Sequence, residues 1–150
     1  MSASAGPPTR SGDEGTHLSR RVREGSLNAH DRVVASVRRT RPPVVAQEAD
    51  IYGILAHQFK EDEIGFIAEF VLGPRERIDF LTDGGVGIEC KKGHPNGPAL
   101  LRQLTRYAAH REVRSVVVVL PWSKHLNLPE ELNGKRITTL ALNRLWGIAV

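Results

Sequence analysis

The sequence predicts an α/β domain in which a mixed β-sheet is flanked by helices, in the order α-β-β-β-α-β-β. Residues 51–59 place apolar side chains at the spacing of a helix with one buried stripe. Two apolar strands meet at the glycine-containing turn 83–85, which is typical of an antiparallel hairpin. Residues 116–119 are consecutive valines, which indicate a strand buried on both faces. With 150 residues and 40% hydrophobic content, the chain can build one core.

The N-terminal part of the chain differs in composition from the rest. Residues 1–43 carry eight Arg and four acidic residues, whereas residues 44–150 carry thirteen basic and thirteen acidic residues. Residues 1–25 have so few apolar side chains that burial cannot offset the entropy lost on ordering. We therefore expect a flexible basic N-terminal arm over residues 1–43 and a folded domain over residues 44–150. For residues 26–39 a second interpretation stays open, a short helix with one valine-rich face that ends before Pro42.

The first elements predicted for the domain are a helix over residues 47–60 and a strand over residues 65–72. Glu69 interrupts the apolar strand, and a buried carboxylate needs a partner. An ion pair with Arg75 or Arg77 is the favoured interpretation. The other interpretation is that Glu69 joins the group of ionisable side chains on the next two strands.

The hairpin that follows places three ionisable side chains together. With a loop of three residues, 83–85, Asp79 on the first strand lies opposite Glu89 on the second. Because side chains alternate along a strand, Lys91 emerges on the same face as Glu89, about two rises of ~3.4 Å further on. Cys90 points the other way, toward the core. The hairpin therefore gathers two carboxylates and one ammonium group on one face.

A helix and two strands complete the predicted domain. After a loop rich in Pro and Gly, a helix over residues 99–110 presents Gln103 and Tyr107 on one face, since they are four positions apart. The strand over residues 114–120 is expected at the buried centre of the sheet, reached by a right-handed crossover. Residues 135–150 supply a fifth strand and a terminal segment.

Two close carboxylates repel each other, and their natural neutraliser is a hard divalent cation with oxygen ligands, Mg²⁺ or Mn²⁺. Such a cation lowers the pKa of a bound water and screens the charge of a phosphate. An adjacent ammonium group such as that of Lys91 can orient the water or offset charge in the transition state. This grouping suits the hydrolysis of phosphodiester bonds.

Asp79 followed by Glu89-x-Lys91 resembles the signature of the PD-(D/E)XK nuclease superfamily, although Ile78 stands where the signature has proline. The resemblance implies a restriction-endonuclease-like core and a metal-dependent deoxyribonuclease. It implies that Asp79 and Glu89 hold Mg²⁺ or Mn²⁺, with the backbone carbonyl of Cys90 as a further ligand. Lys91 would position or activate the attacking water.

Two more features extend the resemblance over roughly residues 44–150. Gln103 and Tyr107 look like the Gln-x-x-x-Tyr helix motif of the RecB-type branch, which implies contacts with substrate or with the loop after Lys91. Tyr107 as a core aromatic is the other interpretation. Glu48 stands where Holliday-junction-resolvase types place a helical metal ligand, but a carboxylate is also favoured by the dipole at a helix N-terminus.

The resemblance implies that DNA is the partner. The biological setting stays open, and DNA repair and recombination are two of the alternatives. Contacts of Arg and Lys with phosphate give an affinity that does not depend on base sequence. The basic arm either makes such contacts or is a solvated tail. A homodimer or a partner protein stays open, and so does endonuclease or exonuclease action. The alternative function is a noncatalytic DNA-binding or assembly module with the same fold. The residues expected to contact nucleic acid are Lys92, Arg102, Arg106, Arg38 and Arg39.

Composition excludes several other classes of protein. A single cysteine, Cys90, cannot form an internal disulfide or a cysteine-rich zinc or iron-sulfur site. No window approaches the ~20 consecutive apolar residues that a membrane-spanning helix needs, and the N-terminus has no apolar signal-peptide core. We therefore expect a cytoplasmic protein without a membrane partner.

Overall fold

The computed structural model describes residues 29–42, 50–122 and 126–147, and in these ranges it shows a six-stranded mixed sheet flanked by helices. The α/β class is therefore confirmed. Within the described ranges, no helix combines the length and the apolar character that crossing a bilayer requires. The helices are α1 (29–39), α2 (Ile51–Glu61), α3 (Gly97–Ala108) and α4 (Leu142–Leu145). The strands are β1 (Phe66–Gly73), β2 (Glu76–Thr82), β3 (Val86–Cys90), β4 (Ser115–Leu120), β5 (Glu131–Leu132) and β6 (Lys135–Ala141).

The strands lie in the order β1-β2-β3-β4-β6-β5. The first three form an antiparallel meander, while β3, β4 and β6 run parallel and β5 pairs antiparallel with β6. The register between β2 and β3 pairs Phe80 with Ile88 and Leu81 with Gly87, as predicted from a loop of three residues. Gly85 closes this loop with a φ of 80°, a conformation that glycine adopts without steric cost.

Each face of the sheet carries its own apolar core. On one face, which we call the α1–α2 face, side chains of α1 and α2 such as Val37 and Phe59 pack with Ile88 and Val119. On the opposite face, the α3 face, Leu104 and other side chains of α3 pack with strand residues. Every residue of β4 is buried, which confirms its predicted place at the centre of the sheet.

The helix α1 corrects the predicted boundary between arm and domain. Val33 and Val37 are buried in the core of the α1–α2 face, so the folded domain includes this helix and does not begin at residue 44. Part of the arginine excess was misleading, because Arg32, Arg38 and Arg39 lie on the exposed side of this amphipathic helix. The flexibility predicted for residues 1–25 falls outside the described residues, as does the start of the helix predicted over residues 47–60.

A polar cluster around Asp62 fixes α1 against the end of α2. The carboxylate of Asp62 accepts hydrogen bonds from the Ser36 hydroxyl at 2.6 Å and from the Gln58 amide at 3.0 Å, and the Arg39 guanidinium lies 3.0 Å away. These donors, chiefly Ser36, lower the pKa of Asp62 to about 2. The predicted nucleic-acid contact Arg39 is thus part of an interaction inside the domain.

Two elements after β4 were missed from the sequence. The structure adds the short strand β5 and the helix α4, and a turn at Asn133 and Gly134 joins β5 to β6 with φ values of 52° and 73°. Asn-Gly is the strongest short signal for a two-residue hairpin, so β5 was detectable. The helix α3 begins two residues earlier than predicted, at Gly97, because the Asn96 side chain accepts a hydrogen bond from the Ala99 N–H.

His30 on α1 is buried between two strands of the sheet. Its Nδ1 lies 2.7 Å from the Ser115 hydroxyl oxygen, and its Nε2 lies 2.8 Å from that of Thr138. Burial, reinforced by the charge of Arg136, lowers the pKa of His30 below its ordinary value of 6.5. The folded protein therefore favours the neutral imidazole.

We predict that protonation of His30 destabilises the fold in acid. Its pKa is higher in the unfolded chain, so the unfolded state takes up the proton first and stability falls as the pH drops below about 6.5. His30→Gln should be less stable than wild type at about pH 7 and should lose less stability between about pH 7 and pH 5. Urea unfolding at both pH values measures this, with the exposed His57→Gln as the control. Equal losses in wild type and His30→Gln would contradict the prediction.

Candidate functional site

Asp79 lies at the point where the pairing of β2 with β3 ends. The last backbone pair of that ladder joins Phe80 to Ile88. Beyond it, the Cys90 N–H donates to Oδ2 of Asp79 at 2.7 Å, so a side chain takes the place of a strand carbonyl. This bond fixes the Asp79 carboxylate beside the end of β3.

Glu89 and Lys91 emerge from the same side of β3, as predicted. Oε1 of Glu89 lies 3.2 Å from Nζ of Lys91. Glu89 pairs in register with Val118, whose side chain belongs to the core of the α3 face, and Glu89 itself is only 5% exposed. The Lys91 side chain is 27% exposed, so its ammonium group reaches from the buried carboxylate toward solvent.

One oxygen of Glu89 has no partner. Oε2 is buried and accepts no hydrogen bond of good geometry from any residue in the part of the chain that the structure describes. The Asp79 N–H and the Tyr107 hydroxyl do lie close enough to the Glu89 carboxylate to affect its pKa and that of Tyr107. Buried polar atoms in folded proteins nearly always have a partner, so this carboxylate oxygen is held in an unfavourable environment at the end of β3.

Burial raises the pKa of both carboxylates, and a neighbouring acid adds to each shift, Asp79 in the case of Glu89 and Glu69 in the case of Asp79. Burial and then the negative charge of Asp79 raise the pKa of Glu89 to about 7, against the opposing effect of Lys91. Burial also raises the pKa of Asp79, although the Cys90 N–H and Lys91 oppose the shift. One ammonium group does not neutralise both the buried Glu89 and the half-buried Asp79.

A cavity of about 580 Å³ opens between the start of α2 and this end of the sheet. Asp79 lines it, and so does Cys90, which packs against the core of the α1–α2 face as predicted. Glu89 does not line it, because its side chain is buried on the α3 face in register with Val118. The prediction that the hairpin gathers both carboxylates on one face is therefore wrong, although their charges interact. The other lining residues are Asp50, Ile51, Tyr52, Glu69 and Lys92.

Glu69 forms one of the two interactions that the sequence left open, the ion pair, and its part in the candidate site stays a prediction. Its carboxylate lies 3.6 Å from the Arg77 guanidinium, which confirms the predicted ion pair. Both side chains are well exposed, so the pair adds little stability. Glu69 also has a φ of 51°, which interrupts the regular strand, and it lines the cavity with Asp79.

Sequence reasoning missed two residues of the cavity. Asp50 is the residue that precedes α2, and Tyr52 lies in its first turn with its ring stacked on Phe80 at a centroid distance of 4.5 Å. Burial and the nearby carboxylates, Glu69 first, raise the pKa of Tyr52. The available signal was helical spacing, because Tyr52 follows Glu48 by four positions. Glu48 itself lies outside the described residues.

Gln103 and Tyr107 hold β2 from the α3 face. The Tyr107 hydroxyl donates to the Arg77 carbonyl at 2.8 Å and accepts from the Gln103 amide at 2.7 Å. Tyr107 is 1% exposed, and burial together with the charges of Glu89 and Asp79 raises its pKa. The contacts observed are with the strand that carries Asp79, and a contact of either residue with substrate stays a prediction.

The basic residues predicted to contact nucleic acid differ in their surroundings. Lys92 is exposed at the cavity, and Arg102 is exposed on α3. Arg106 is already in an ion pair, with its Nε 2.9 Å from Oε1 of Glu76. Arg39 is bound to Asp62, whereas Arg38 is exposed and belongs to no ion pair between described residues.

Among the residues that the structure describes, few metal-ligating side chains surround the place where the cation is predicted. Within residues 29–42, 50–122 and 126–147, no three His, Cys, Asp or Glu side chains form a metal-binding group. The pair Asp79 and Glu89 nevertheless supplies oxygen donors, the kind that Mg²⁺ and Mn²⁺ prefer, and one of these oxygens is buried without a partner. The donor type of these two residues fits a hard divalent cation, and a metal site on them stays a prediction.

No protein-family model, curated protein or solved structure matches this chain.

We predict that Glu89 destabilises the metal-free protein at alkaline pH. Its pKa rises from 4.5 in the unfolded chain to about 7 in the fold, so stability is lost as the pH rises through that interval. Glu89→Gln should be more stable than wild type at about pH 8, by up to about 3 kcal/mol, and no more stable at about pH 4.

Urea unfolding in EDTA at both pH values measures this difference. Glu61→Gln is the matched control, since Glu61 is an exposed glutamate at the end of α2. A Glu89→Gln protein that is less stable than wild type at the alkaline pH would contradict the prediction.

Proposed function

We propose that this protein is a divalent-metal-dependent deoxyribonuclease that hydrolyses phosphodiester bonds by means of an activated water. The observation that carries the proposal is the buried, unpartnered Oε2 of Glu89, beside Asp79 and in an ion pair with Lys91. A stability cost of this kind is characteristic of functional sites, where ionisable groups are held in environments that perturb their pKa values.

The order of the elements supports the same proposal. The chain forms an antiparallel meander of three strands, then a helix, and then a parallel strand. Asp79 lies on the second strand of the meander, Glu89 on the third, and Lys91 directly after it. This arrangement agrees with the restriction-endonuclease-like core that the PD-(D/E)XK resemblance implies. The cavity beside Asp79 is large enough for part of a nucleotide, and Lys92 at its lining offers a positive charge to a phosphate.

In the proposed mechanism Asp79, Glu89 and the Cys90 carbonyl would hold Mg²⁺ or Mn²⁺, which when bound would acidify a water and screen the phosphate. The Cys90 N–H keeps Oδ2 of Asp79 in place, and Lys91 binds Oε1 of Glu89. The partly exposed ammonium group of Lys91 would also orient the attacking water or stabilise charge on the phosphate.

Gln103 and Tyr107 act through the backbone in this mechanism. The Tyr107 hydroxyl donates to the Arg77 carbonyl, two residues before Asp79, and Gln103 donates to that hydroxyl, so the pair fixes the strand that carries the first carboxylate. A shift of about 1 Å at a catalytic group is enough to lower a rate by ~10²-fold. Glu48 as a further ligand rests on the resemblance alone, since it lies outside the described residues.

The proposed substrate is DNA inside the cell, where repair and recombination both require such a nuclease. A noncatalytic DNA-binding or assembly module is the alternative, and a homodimer or a partner protein would extend the binding surface. The noncatalytic function requires the fold and the basic surface, but it does not require two carboxylates with raised pKa values. We therefore favour the nuclease.

The decisive assay incubates the purified protein with labelled single-stranded, duplex and branched DNA, in Mn²⁺, in Mg²⁺ and in EDTA. We predict cleavage that requires the metal and falls by about 100-fold or more in Lys91→Ala, because positioning and charge stabilisation are lost. Lys91→Gln serves as a second variant with a better match in size. Lys60→Ala removes an exposed lysine from the last turn of α2 and should cleave as wild type does.

Unfolding midpoints of all variants separate a lost activity from a lost fold. Cleavage at the wild-type rate by folded Lys91→Ala would rule out the proposed role of this lysine. DNA binding without cleavage in any metal would favour the noncatalytic module.

A further inference from the structure

A second cavity lies at the same end of the sheet, near the carboxyl ends of β4 and β6. Its volume is about 360 Å³. The floor is apolar and includes Leu120, Leu140 and Leu145, while two arginines, Arg38 and Arg144, line it as well. Neither the sequence motifs nor the proposed catalytic site accounts for this cavity.

The two arginines are available to a ligand. Both side chains are exposed, and neither takes part in an ion pair between the residues that the structure describes. Their neighbours behave differently: Arg39, next in the chain to Arg38, is bound to Asp62, and Arg136 on β6 is bound to Asp31. Two uncompensated guanidinium groups at one cavity favour an anion.

The strand register places this cavity relative to the carboxylate pair. Cys90 is in register with Val119, and Val119 with Leu140, so Cys90 and Leu140 lie in one row across three strands. Both side chains contribute to the α1–α2 face. At ~4.8 Å between neighbouring strands, the two ends of the row are about 10 Å apart.

A nucleic-acid strand spans that distance easily. The axial rise of one strand of B-DNA is ~3.4 Å per nucleotide, so about 10 Å corresponds to roughly three nucleotides. In α/β sheets, ligands bind outside the carboxyl ends of the strands, which is where both cavities open. A strand that enters the cavity at Asp79 and follows this end of the sheet therefore reaches Arg38 and Arg144.

We propose that Arg38 and Arg144 form a phosphate subsite for the DNA backbone, about three nucleotides from the bond that is cut. The inference rests on the proposed function, since it assigns the path of that substrate. A guanidinium group matches two phosphate oxygens in a planar fork, and the leucine floor lowers the local polarity and so strengthens the attraction. The subsite fixes the register of the strand and reads no base.

The test is the salt dependence of DNA binding, measured in EDTA so that no cleavage takes place. The probe is a fluorescently labelled single-stranded oligonucleotide, and the proteins are wild type, Arg38→Gln, Arg144→Gln and the double variant. Each lost phosphate contact should reduce the slope of log affinity against log salt by about 0.7. We expect the double variant to bind about tenfold more weakly at low salt with a smaller slope.

Two further proteins serve as controls. Arg111→Gln removes an exposed arginine from the loop before β4, which lies at the opposite end of the sheet, and should keep the wild-type slope. The double variant Arg38→Lys and Arg144→Lys keeps both charges and should retain most of the slope, although the planar fork is lost. Because all substituted side chains are exposed, unfolding midpoints should change little, and urea unfolding checks this.

Three results would overturn the assignment. The first is a double variant with the slope of wild type and of Arg111→Gln, and the second is a wild-type protein that does not bind the oligonucleotide. The third is an arginine-dependent rise in melting temperature with inorganic phosphate while the DNA slope is unchanged, which would assign the cavity to a free phosphate. Failure of the nuclease proposal shows instead as absent metal-dependent cleavage, so the two failures are distinguishable.

Discussion

The hydrogen bond from the Cys90 N–H to Asp79 is the contact on which the candidate site depends. It forms where the backbone ladder of β2 and β3 has already ended, and it keeps the two strands together by means of a side chain. Without it, nothing in the ladder would fix Asp79 next to the end of β3. Tyr107 supports the same strand from the other face by binding the Arg77 carbonyl. The position of one carboxylate thus results from contacts on both faces of the sheet.

The second carboxylate, that of Glu89, is held in its position by burial. Glu89 belongs to β3, which is the last antiparallel partner of β2 and the first parallel partner of β4. Packing of α3 against this part of the sheet removes Glu89 from water, and Lys91 compensates only one of its oxygens. A protein selected for stability alone would place an apolar residue there. The proposed cation-binding role would account for this unfavourable arrangement.

The sequence predicted best what depends on local periodicity. The hairpin register followed from the glycine turn and from the two-residue repeat of strands, and the burial of β4 followed from its valines. Tertiary packing was harder to predict. The helix α1 carries enough charge to resemble a tail, and only its contacts with the sheet show that Val33 and Val37 are core residues. The strand β5 had a local signal in Asn133 and Gly134 that was overlooked.

The neighbours of the candidate site were predicted better than its surroundings. The pairing of Glu89 with Lys91 and the position of Asp79 on the adjacent strand follow from strand periodicity, which the sequence could indicate. The unpartnered oxygen of Glu89, the cavity lined by Tyr52 and Asp50, and the cavity between Arg38 and Arg144 depend on how helices lie on the sheet. No local pattern encodes those positions.

The most direct test of the account is a calorimetric titration of Mn²⁺ into the metal-free protein, into Glu89→Gln and into Asp79→Asn. The account predicts saturable binding to wild type that either substitution weakens by tenfold or more, about 1.4 kcal/mol, because each removes a charged ligand. Glu61→Gln, an exposed change of the same kind, should bind as wild type does. Equal Mn²⁺ affinity in wild type and in both site variants, or no binding to any of them, would contradict the central claim that Asp79 and Glu89 form a cation site.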